Sequence, residues 1–440
     1  MQRSIHFKGC HFLLLWLVYL SPLTASYADN LLTKPAQYQH LARISKTQLD
    51  QITSTELQTF GQGMWPGYKF PQFKPAQYEV DVFRVSYETH IPEQNNKPIT
   101  ATGLLAIPVL TDYAQPLPLI SYQHGTVFGK YEVPSYAFSN EHQQYAGAYE
   151  NRLNLAQFAG QGYLLIAPDY FGMGGNASQP EGYTVKASHQ QACWDLHQNA
   201  LSILASKNIE ISNFFIAGWS QGGLVTLQFL EKLENAGVKI KAASTVAAPA
   251  DPYLAAARII FNPRDGTNGH TADAIWLNSI FILSAFSYQN YYQAPDLTAD
   301  LFQSAYVGAF EKIYQRTFAK IEFTQTDMIV DGIPTPIISK QLLNPKYTDP
   351  TQFSNSAYAN YLRMQSAYQK TLKTKLKMYY GEQDEAFPVT VTKLPVDYLS
   401  ITAPNLVEGI ALANANHRGA FISAIEQQKA WFDSLLTATP

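Results

Sequence analysis

The residue best placed to act as a nucleophile is Ser220, at the centre of a Gly-Trp-Ser-Gln-Gly sequence over residues 218–222. The apolar residues 214–217 before it predict a short strand, and the apolar stretch from residue 223 predicts a helix. In this context a G-x-S-x-G sequence forms a sharp turn that exposes the serine hydroxyl. The two outer glycines leave out the side chains that would collide where strand and helix cross. The motif therefore predicts a nucleophilic serine, which needs a base, an acid and oxyanion donors.

A base and an acid follow two later strands of the predicted fold. A serine hydroxyl is a poor nucleophile unless a base takes its proton, and a buried carboxylate orients that base. Asp384 and His417 come after the apolar segments 376–380 and 406–412, both of which predict strands. Because the carboxyl ends of parallel strands meet at one edge of a sheet, we expect both side chains to lie beside Ser220 there. The three residues are a candidate catalytic triad.

Other acidic residues could compete for these roles. Glu385 is the alternative to Asp384, although its longer side chain suits a solvated position in the loop. Asp169 is expected to order the loop after its strand, and Asp195 to form a hydrogen bond from a helix to a loop. Among the ten histidines, His417 is favoured because it follows the last predicted strand.

The developing oxyanion needs two N–H donors aimed at one point. The backbone N–H of Gln221 supplies one donor by the geometry of the turn, because it directly follows the nucleophile. The second donor is expected from the loop after the strand predicted over residues 117–123. The N–H of Thr126 is the preferred candidate, and Val127 is the alternative.

The order of strands and helices predicts the fold class. Strands alternate with helices between residues 117 and 248, which indicates a mostly parallel sheet flanked by helices. Residues 78–87 and 99–108 precede it and could form an antiparallel pair. The alternation then stops, and residues 253–372 contain mainly helical and loop patterns with aromatic clusters. We interpret them as an inserted cap that either lines an acyl pocket or only covers the sheet face.

Two local patterns complete this description of the chain. Ser188 and Gln191 form a capping-box pattern, which predicts that a helix starts there and runs to about residue 206. Residues 29–77 are polar and mixed, carry no motif with catalytic chemistry, and are expected to lie along the body of the molecule. The predicted segments are a signal peptide over 1–28, an N-terminal extension over 29–77, a core in two parts over 78–252 and 373–440, and the cap over 253–372.

The first residues have the pattern of a secretory signal. Arg3 and Lys8 precede the short apolar run 12–20, and small residues precede a cleavage point that we place after Ala28. A membrane anchor is the alternative, but the run is too short to span a bilayer comfortably. Cleavage removes one of the two cysteines and leaves Cys193, so the mature chain forms no intramolecular disulfide. The pattern predicts a secreted or periplasmic protein.

On these motifs the chain resembles the α/β-hydrolases, and within that fold the secretory lipases and bacterial esterases. The resemblance covers roughly residues 100–250 and 375–440, and it implies a nucleophile, acid and base in the chain order seen here. It places the acid at Asp384, in a Gly-x-x-Asp pattern with Pro388 four residues later, and an oxyanion donor at the residue after His-Gly. The matching residues are His124-Gly125-Thr126, residues 167–174, residues 218–223, residues 380–384 with Pro388, and Asn416-His417.

The resemblance implies a serine hydrolase that cleaves carboxylic esters through an acyl-enzyme, without a metal or other cofactor. The net charge of −3 and the absence of basic runs argue against nucleic acid as a partner. The aromatic-rich insertion suits small or lipid-like esters and transient contact of the cap with a lipid surface. A serine peptidase and an inactive binding protein on the same fold are the alternatives. The sequence leaves the natural substrate and the oligomeric state open.

Overall fold

A computed structural model of the chain describes residues 36–64, 67–139, 146–266, 271–324, 327–336 and 339–436. These residues belong to one of two units of the chain, residues 35–440. The other unit, residues 1–34, lies outside the described residues, and so does the signal peptide predicted over residues 1–28.

Nine strands form the main sheet, and three short strands form a second, separate sheet. The strands are β1 Gln37–Ile44, β2 Val80–Ile91, β3 Lys97–Pro108, β4 Leu117–Gln123, β5 Leu164–Pro168, β6 Ile211–Trp219, β7 Ala242–Val246, β8 Ile321–Phe323, β9 Asp327–Val330, β10 Ile333–Pro336, β11 Leu376–Gly381 and β12 Val407–Leu412. The main sheet has the order β1-β2-β3-β5-β4-β6-β7-β11-β12, and β8, β9 and β10 form the small sheet.

The main sheet is antiparallel at one side and parallel over the rest. Strands β1, β2, β3 and β5 pair antiparallel in turn, and each pair from β5 through β4, β6, β7 and β11 to β12 is parallel. Every residue of β5 and β7 is buried, as a parallel sheet covered on both faces requires. The predicted antiparallel pair is confirmed as β2 and β3, with Val80 opposite Pro108.

Helices cover both faces of this sheet. On one face, α4 and α5 bury Leu196 and Leu224 in the larger apolar core. On the other face, α3 and α15 bury Phe158 and Phe432 in a second core. The helices are α1 Lys46–Gln51, α2 Leu57–Phe60, α3 Ala146–Phe158, α4 Lys186–Ser206, α5 Gln221–Asn235, α6 Pro252–Phe261, α7 Leu277–Tyr291, α8 Leu297–Leu301, α9 Ser304–Gln315, α10 Ser339–Leu342, α11 Pro350–Ser354, α12 Ala357–Met364, α13 Val389–Thr392, α14 Leu394–Thr402 and α15 His417–Leu436.

The main sheet is interrupted between β7 and β11 by a largely helical cap. Helices α6 to α12 and the small sheet lie in this stretch. Phe281, Phe310 and Phe353 of the cap are buried in the same apolar core as α4 and α5, so the cap is packed onto the main sheet and its helices. The fold class predicted from the sequence is confirmed. The small sheet of β8, β9 and β10 was not predicted, because the sequence of these residues showed no strand pattern.

The predicted capping box at Ser188 is wrong. The cap position is Val185, three residues earlier than predicted, so helix α4 begins at Lys186, and no side chain caps it. The N–H and hydroxyl of Ser188 both donate to the carboxylate of Glu93, from the turn after β2, at 3.1 and 2.6 Å. The carboxylate of Glu93, which is distant in sequence, therefore accepts the Ser188 N–H that the capping-box pattern assigned to the side chain of Gln191.

Candidate active site

Ser220 lies at a sharp turn between β6 and α5, with φ 58° and ψ −122°. A positive φ is unfavourable for a residue with a side chain, and the turn is held by a 2.9 Å hydrogen bond from the Ser220 N–H to the carbonyl of Val246. A Cβ atom on Gly222 would lie 1.9 Å from the carbonyl oxygen of Gln123, and one on Gly218 would lie 2.3 Å from that of Gly222. Both glycines are therefore required for the crossing.

The structure brings the three predicted catalytic residues together. The Nε2 atom of His417 lies 2.9 Å from the Ser220 Oγ, and its Nδ1 atom lies 2.9 Å from the Oδ2 of Asp384. The other oxygen of Asp384 accepts two backbone hydrogen bonds of 2.8 Å, from Ala386 and Phe387. All three side chains are buried. The carboxylate is fixed by its own loop, and it in turn fixes the orientation of the imidazole.

Opposing effects act on the pKa of His417, and the net result is a raised value. Burial lowers this pKa, but the charge of Asp384 and its hydrogen bond raise it, and the charge of Glu385 adds to them. Glu385 also accepts the backbone N–H of His417 at 2.8 Å, at the start of α15. This half-buried loop carboxylate therefore also holds the first turn of the helix that carries the imidazole.

Thr126 and Gln221, the predicted oxyanion donors, both border the space beside Ser220. The N–H of Gln221 is the first of its helix and so has no intrahelical acceptor. Within the part of the chain that the structure describes, the N–H of Thr126 forms no hydrogen bond either. The side chain of Thr126 is held by the hydroxyl of Tyr183 at 2.8 Å. The alternative, Val127, is buried in a small cluster with Val133 instead.

No protein-family model matches the sequence of this chain, and no curated protein matches it either. A Legionella pneumophila protein provisionally assigned as a hydrolase has a similar structure, with a TM-score of 0.72 and 18% identity over 92% of this chain and 98% of that one. The chain has the α/β-hydrolase fold.

Two further solved structures share this α/β-hydrolase fold. The rice cell wall degrading esterase LipA from Xanthomonas oryzae has a TM-score of 0.70 at 16% identity, over 91% of this chain and 98% of that one. Candida antarctica lipase A in its closed state has a TM-score of 0.59 at 15% identity, over 86% of this chain and 85% of that one.

Glu150, on α3 of the hydrolase fold, is a site residue that no sequence motif marks. Its Oε1 atom accepts the hydroxyl of Tyr122 at 2.6 Å and the N–H of Gly125 at 2.9 Å. Gly125 is the residue before Thr126, so this carboxyl group anchors the loop that carries the second candidate oxyanion donor. Burial raises the pKa of Glu150 to about 7, although both hydrogen bonds and the charge of His417 act to lower it.

Two carboxylates that the sequence left without a catalytic task have structural partners. Asp169 accepts hydrogen bonds from the Thr102 hydroxyl and from the N–H and hydroxyl of Ser135, and so ties the loop before α3 to the sheet. Asp195 accepts from Gln191 in its own helix and from Thr89 on strand β2. The expected bond from Asp195 to a loop is therefore wrong, because the partner outside the helix lies on a strand.

Two cavities of different character meet at Ser220. The first is almost wholly apolar and is lined by Gln221 and Leu224 of α5 and by cap residues such as Ile280 of α7. The second is larger and more polar, and it contains His417 and Glu150. Among the described residues there is no cluster of three His, Cys, Asp or Glu side chains that could hold a metal ion. None of the described helices combines the length and apolar character needed to cross a membrane.

Proposed function

We propose that this protein is a secreted serine hydrolase that cleaves carboxylic esters through an acyl-enzyme intermediate. The observation that carries the proposal is the chain of hydrogen bonds from Ser220 through His417 to Asp384, each 2.9 Å long. Among the described residues, the backbone N–H groups of Thr126 and Gln221 have no hydrogen-bond acceptor, and both residues border the space beside Ser220. The esterase and lipase names of two proteins that share its fold support the choice of ester over other acyl compounds.

The first half of the reaction forms the acyl-enzyme. The Oγ of Ser220 attacks the ester carbonyl carbon while the Nε2 of His417 takes the hydroxyl proton. The carbonyl π electrons move onto oxygen, where the N–H groups of Thr126 and Gln221 stabilise the negative charge. When the C–O bond to the alcohol breaks, His417 returns the proton to the departing oxygen. Asp384 stabilises the imidazolium between these two transfers.

The second half releases the acid by the same route with water as the nucleophile. His417 takes a proton from water as its oxygen attacks the acyl carbon, and returns it to the Oγ of Ser220 as the acyl–enzyme bond breaks. The products are one carboxylic acid and one alcohol, and the enzyme is restored. No metal or redox step is needed for this balance.

A fluorophosphonate probe tests the nucleophile directly. We expect stoichiometric labelling of Ser220, no labelling in a Ser220→Ala variant, and full labelling in Ser202→Ala, which removes an exposed hydroxyl from α4. On p-nitrophenyl esters, Ser220→Ala is expected to lower kcat by about 10⁴-fold or more. Folded wild-type protein that neither reacts with the probe nor hydrolyses any ester would contradict the proposal and favour a binding protein.

Aminoacyl anilides separate an esterase from a peptidase on the same fold. The ester alcohol is the better leaving group, and the cavity beside His417 must instead accept an amine in a peptidase. We expect ester turnover with negligible anilide cleavage under the same conditions. Fast anilide cleavage without ester hydrolysis would replace the esterase assignment with a peptidase one.

A further inference from the structure

The geometry of the reaction determines which of the two cavities at Ser220 holds the acyl group and which holds the alcohol. The alcohol oxygen must lie at the Nε2 of His417 to receive its proton, and His417 borders only the larger, polar cavity. The acyl group must then occupy the other space beside the nucleophile. Ser220 and Gln221 line the apolar cavity and His417 does not, as an acyl site requires. Thr126 borders both cavities, where the carbonyl carbon has to lie.

The acyl cavity is small. It leaves about 50 Å³ for the centres of water-sized groups. One such group needs roughly 10–15 Å³ by this measure, so the space holds roughly three to five carbon atoms beyond the carbonyl. Leu224, Ile280, Phe281 and Leu362 form its walls, and Tyr358 lies among them. The hydroxyl of Tyr358 is held at 2.7 Å by Ser284, which fixes its ring.

The alcohol cavity is about seven times larger, at about 370 Å³ by the same measure. Its charged lining consists of Glu132, Glu150 and Glu385 against the single guanidinium of Arg418. Arg418 donates to the carbonyl of Phe60 at 2.8 Å, and its charge offsets part of the charge of Glu385. The lining still holds more carboxyl groups than guanidinium groups, so an anion placed in this cavity at low dielectric is disfavoured.

Four aromatic side chains complete the wall of the alcohol cavity. Phe60 comes from the N-terminal helices, Phe128 from the loop after β4, Trp219 from the end of β6, and Trp276 from the cap. Aromatic faces beside carboxylates suit a cationic or neutral organic group of some bulk. Burial raises the pKa of Glu132, although a backbone hydrogen bond from Phe128 and the charge of Arg316 act to lower it.

We propose that the substrates are esters of short acids, with up to about six carbon atoms, and bulky alcohols that carry no negative charge. This inference rests on the proposed ester hydrolysis and adds the class of acid and of alcohol. It places long-chain lipids and esters of anionic alcohols outside the preferred substrates.

A series of p-nitrophenyl esters from acetate to laurate tests the acyl site. We expect kcat/KM to peak between propionate and hexanoate and to fall at least tenfold at octanoate. In Ile280→Ala the peak should move to longer acids, because the side chain removed lines the acyl cavity. Ile401→Ala removes the same atoms from an exposed side chain of α14 and should leave the series unchanged. A wild-type maximum at octanoate or beyond would overturn the assignment.

Three butyrate esters test the alcohol site: butyrylcholine, pentyl butyrate and the butyrate ester of 4-hydroxybutanoate. We expect kcat/KM for the anionic ester to be at least tenfold below that of neutral pentyl butyrate, and the choline ester to match or exceed the neutral one. In Glu132→Gln, the ratio of kcat/KM for pentyl butyrate to kcat/KM for the anionic ester should fall at least threefold. Glu426→Gln removes an exposed carboxylate from α15 and should leave this ratio unchanged.

The outcomes separate this inference from the function it rests on. If p-nitrophenyl butyrate is hydrolysed and the anionic ester is turned over as fast as pentyl butyrate, the alcohol assignment is wrong while the esterase assignment stands. If no ester in either series is hydrolysed by protein that is folded, both fail together.

Discussion

At the scale of single residues, Glu150 shows how a buried carboxyl group can serve the site without touching the substrate carbonyl. Its two hydrogen bonds fix Tyr122 and the backbone of Gly125. A pKa raised to about 7 means that the folded protein keeps this proton where the unfolded chain, with an ordinary glutamate pKa of 4.5, releases it. The contribution of Glu150 to the free energy of unfolding is therefore fully present below pH 4.5 and is lost as the pH rises to about 7.

Glu150→Gln tests this dependence. The amide keeps an oxygen that can accept both hydrogen bonds, but it never becomes charged. The thermal midpoint of the variant, relative to wild type, should rise between pH 5 and pH 8. In free energy the rise is at most on the order of 3 kcal/mol. Glu150→Leu, which removes both hydrogen bonds, should lower kcat at both pH values. A difference in thermal midpoint between Glu150→Gln and wild type that is the same at pH 5 and pH 8 would contradict the raised pKa.

The contrast between Glu150 and the triad residues shows what the sequence can predict at this scale. Ser220, Asp384 and His417 follow strand ends, and that position is visible in the hydrophobic pattern before any coordinates exist. Glu150 lies inside a helix in a polar stretch without a motif. Only its burial against Tyr122 after folding distinguishes it from a surface glutamate. The role of Glu385 was missed because only folding brings its carboxylate to the backbone N–H of His417.

At the scale of elements, Arg316 links the cap to the loop of the predicted oxyanion donor. It ends α9 in the left-handed region, with φ 58°. Its guanidinium lies 2.7 Å from the carboxylate of Glu181, and both side chains are at most 10% exposed. It also donates to the backbone carbonyls of Val127 and Phe128, directly after Thr126. Movement of the cap would therefore reach the oxyanion loop.

Arg316→Ala is expected to destabilise the protein by about 3 kcal/mol or more, because it leaves a buried carboxylate unpaired. Glu181→Gln in the same chain removes that charge and should recover part of the loss. Urea unfolding of the two single variants and the double variant measures this coupling. If the changes in the free energy of unfolding of the two single variants add up to that of the double variant, the ion pair does not stabilise the protein.

The position of a strand or helix could be predicted where its own residues determine it. Strand β4 has the predicted bounds, since its apolar run is buried by both neighbours whatever the rest of the chain does. The start of α4 was not predictable, because the acceptor for Ser188 comes from Glu93, far away in sequence. Strand β1 was also missed: its residues are mostly exposed, and it exists because β2 offers an unpaired edge.

At the scale of the whole molecule, the alcohol cavity is assembled from distant parts of the chain. Phe60 lies between β1 and β2, Trp276 belongs to the cap, and Arg418 lies on the last helix. The N-terminal helices are joined to the core by the ion pair between Glu56 and Arg152 and by the hydroxyl of Tyr68 on the carbonyl of Gly419. No single segment carries a pattern for this cavity, so its chemistry emerges only when the chain is folded.

The secretory signal predicted over residues 1–28 can be tested by counting thiols. Cleavage after Ala28 would remove Cys10 and leave Cys193, which is buried and whose thiol pKa is raised by that burial. Protein expressed with its full N-terminus in a Gram-negative host should begin at Asp29. It should react with a thiol reagent once per chain in denaturant and hardly at all when folded. A Leu14→Arg variant, whose apolar run is interrupted, should keep both thiols and stay in the cytoplasm. Two thiols in wild-type protein, found in the membrane fraction, would instead indicate the uncleaved anchor.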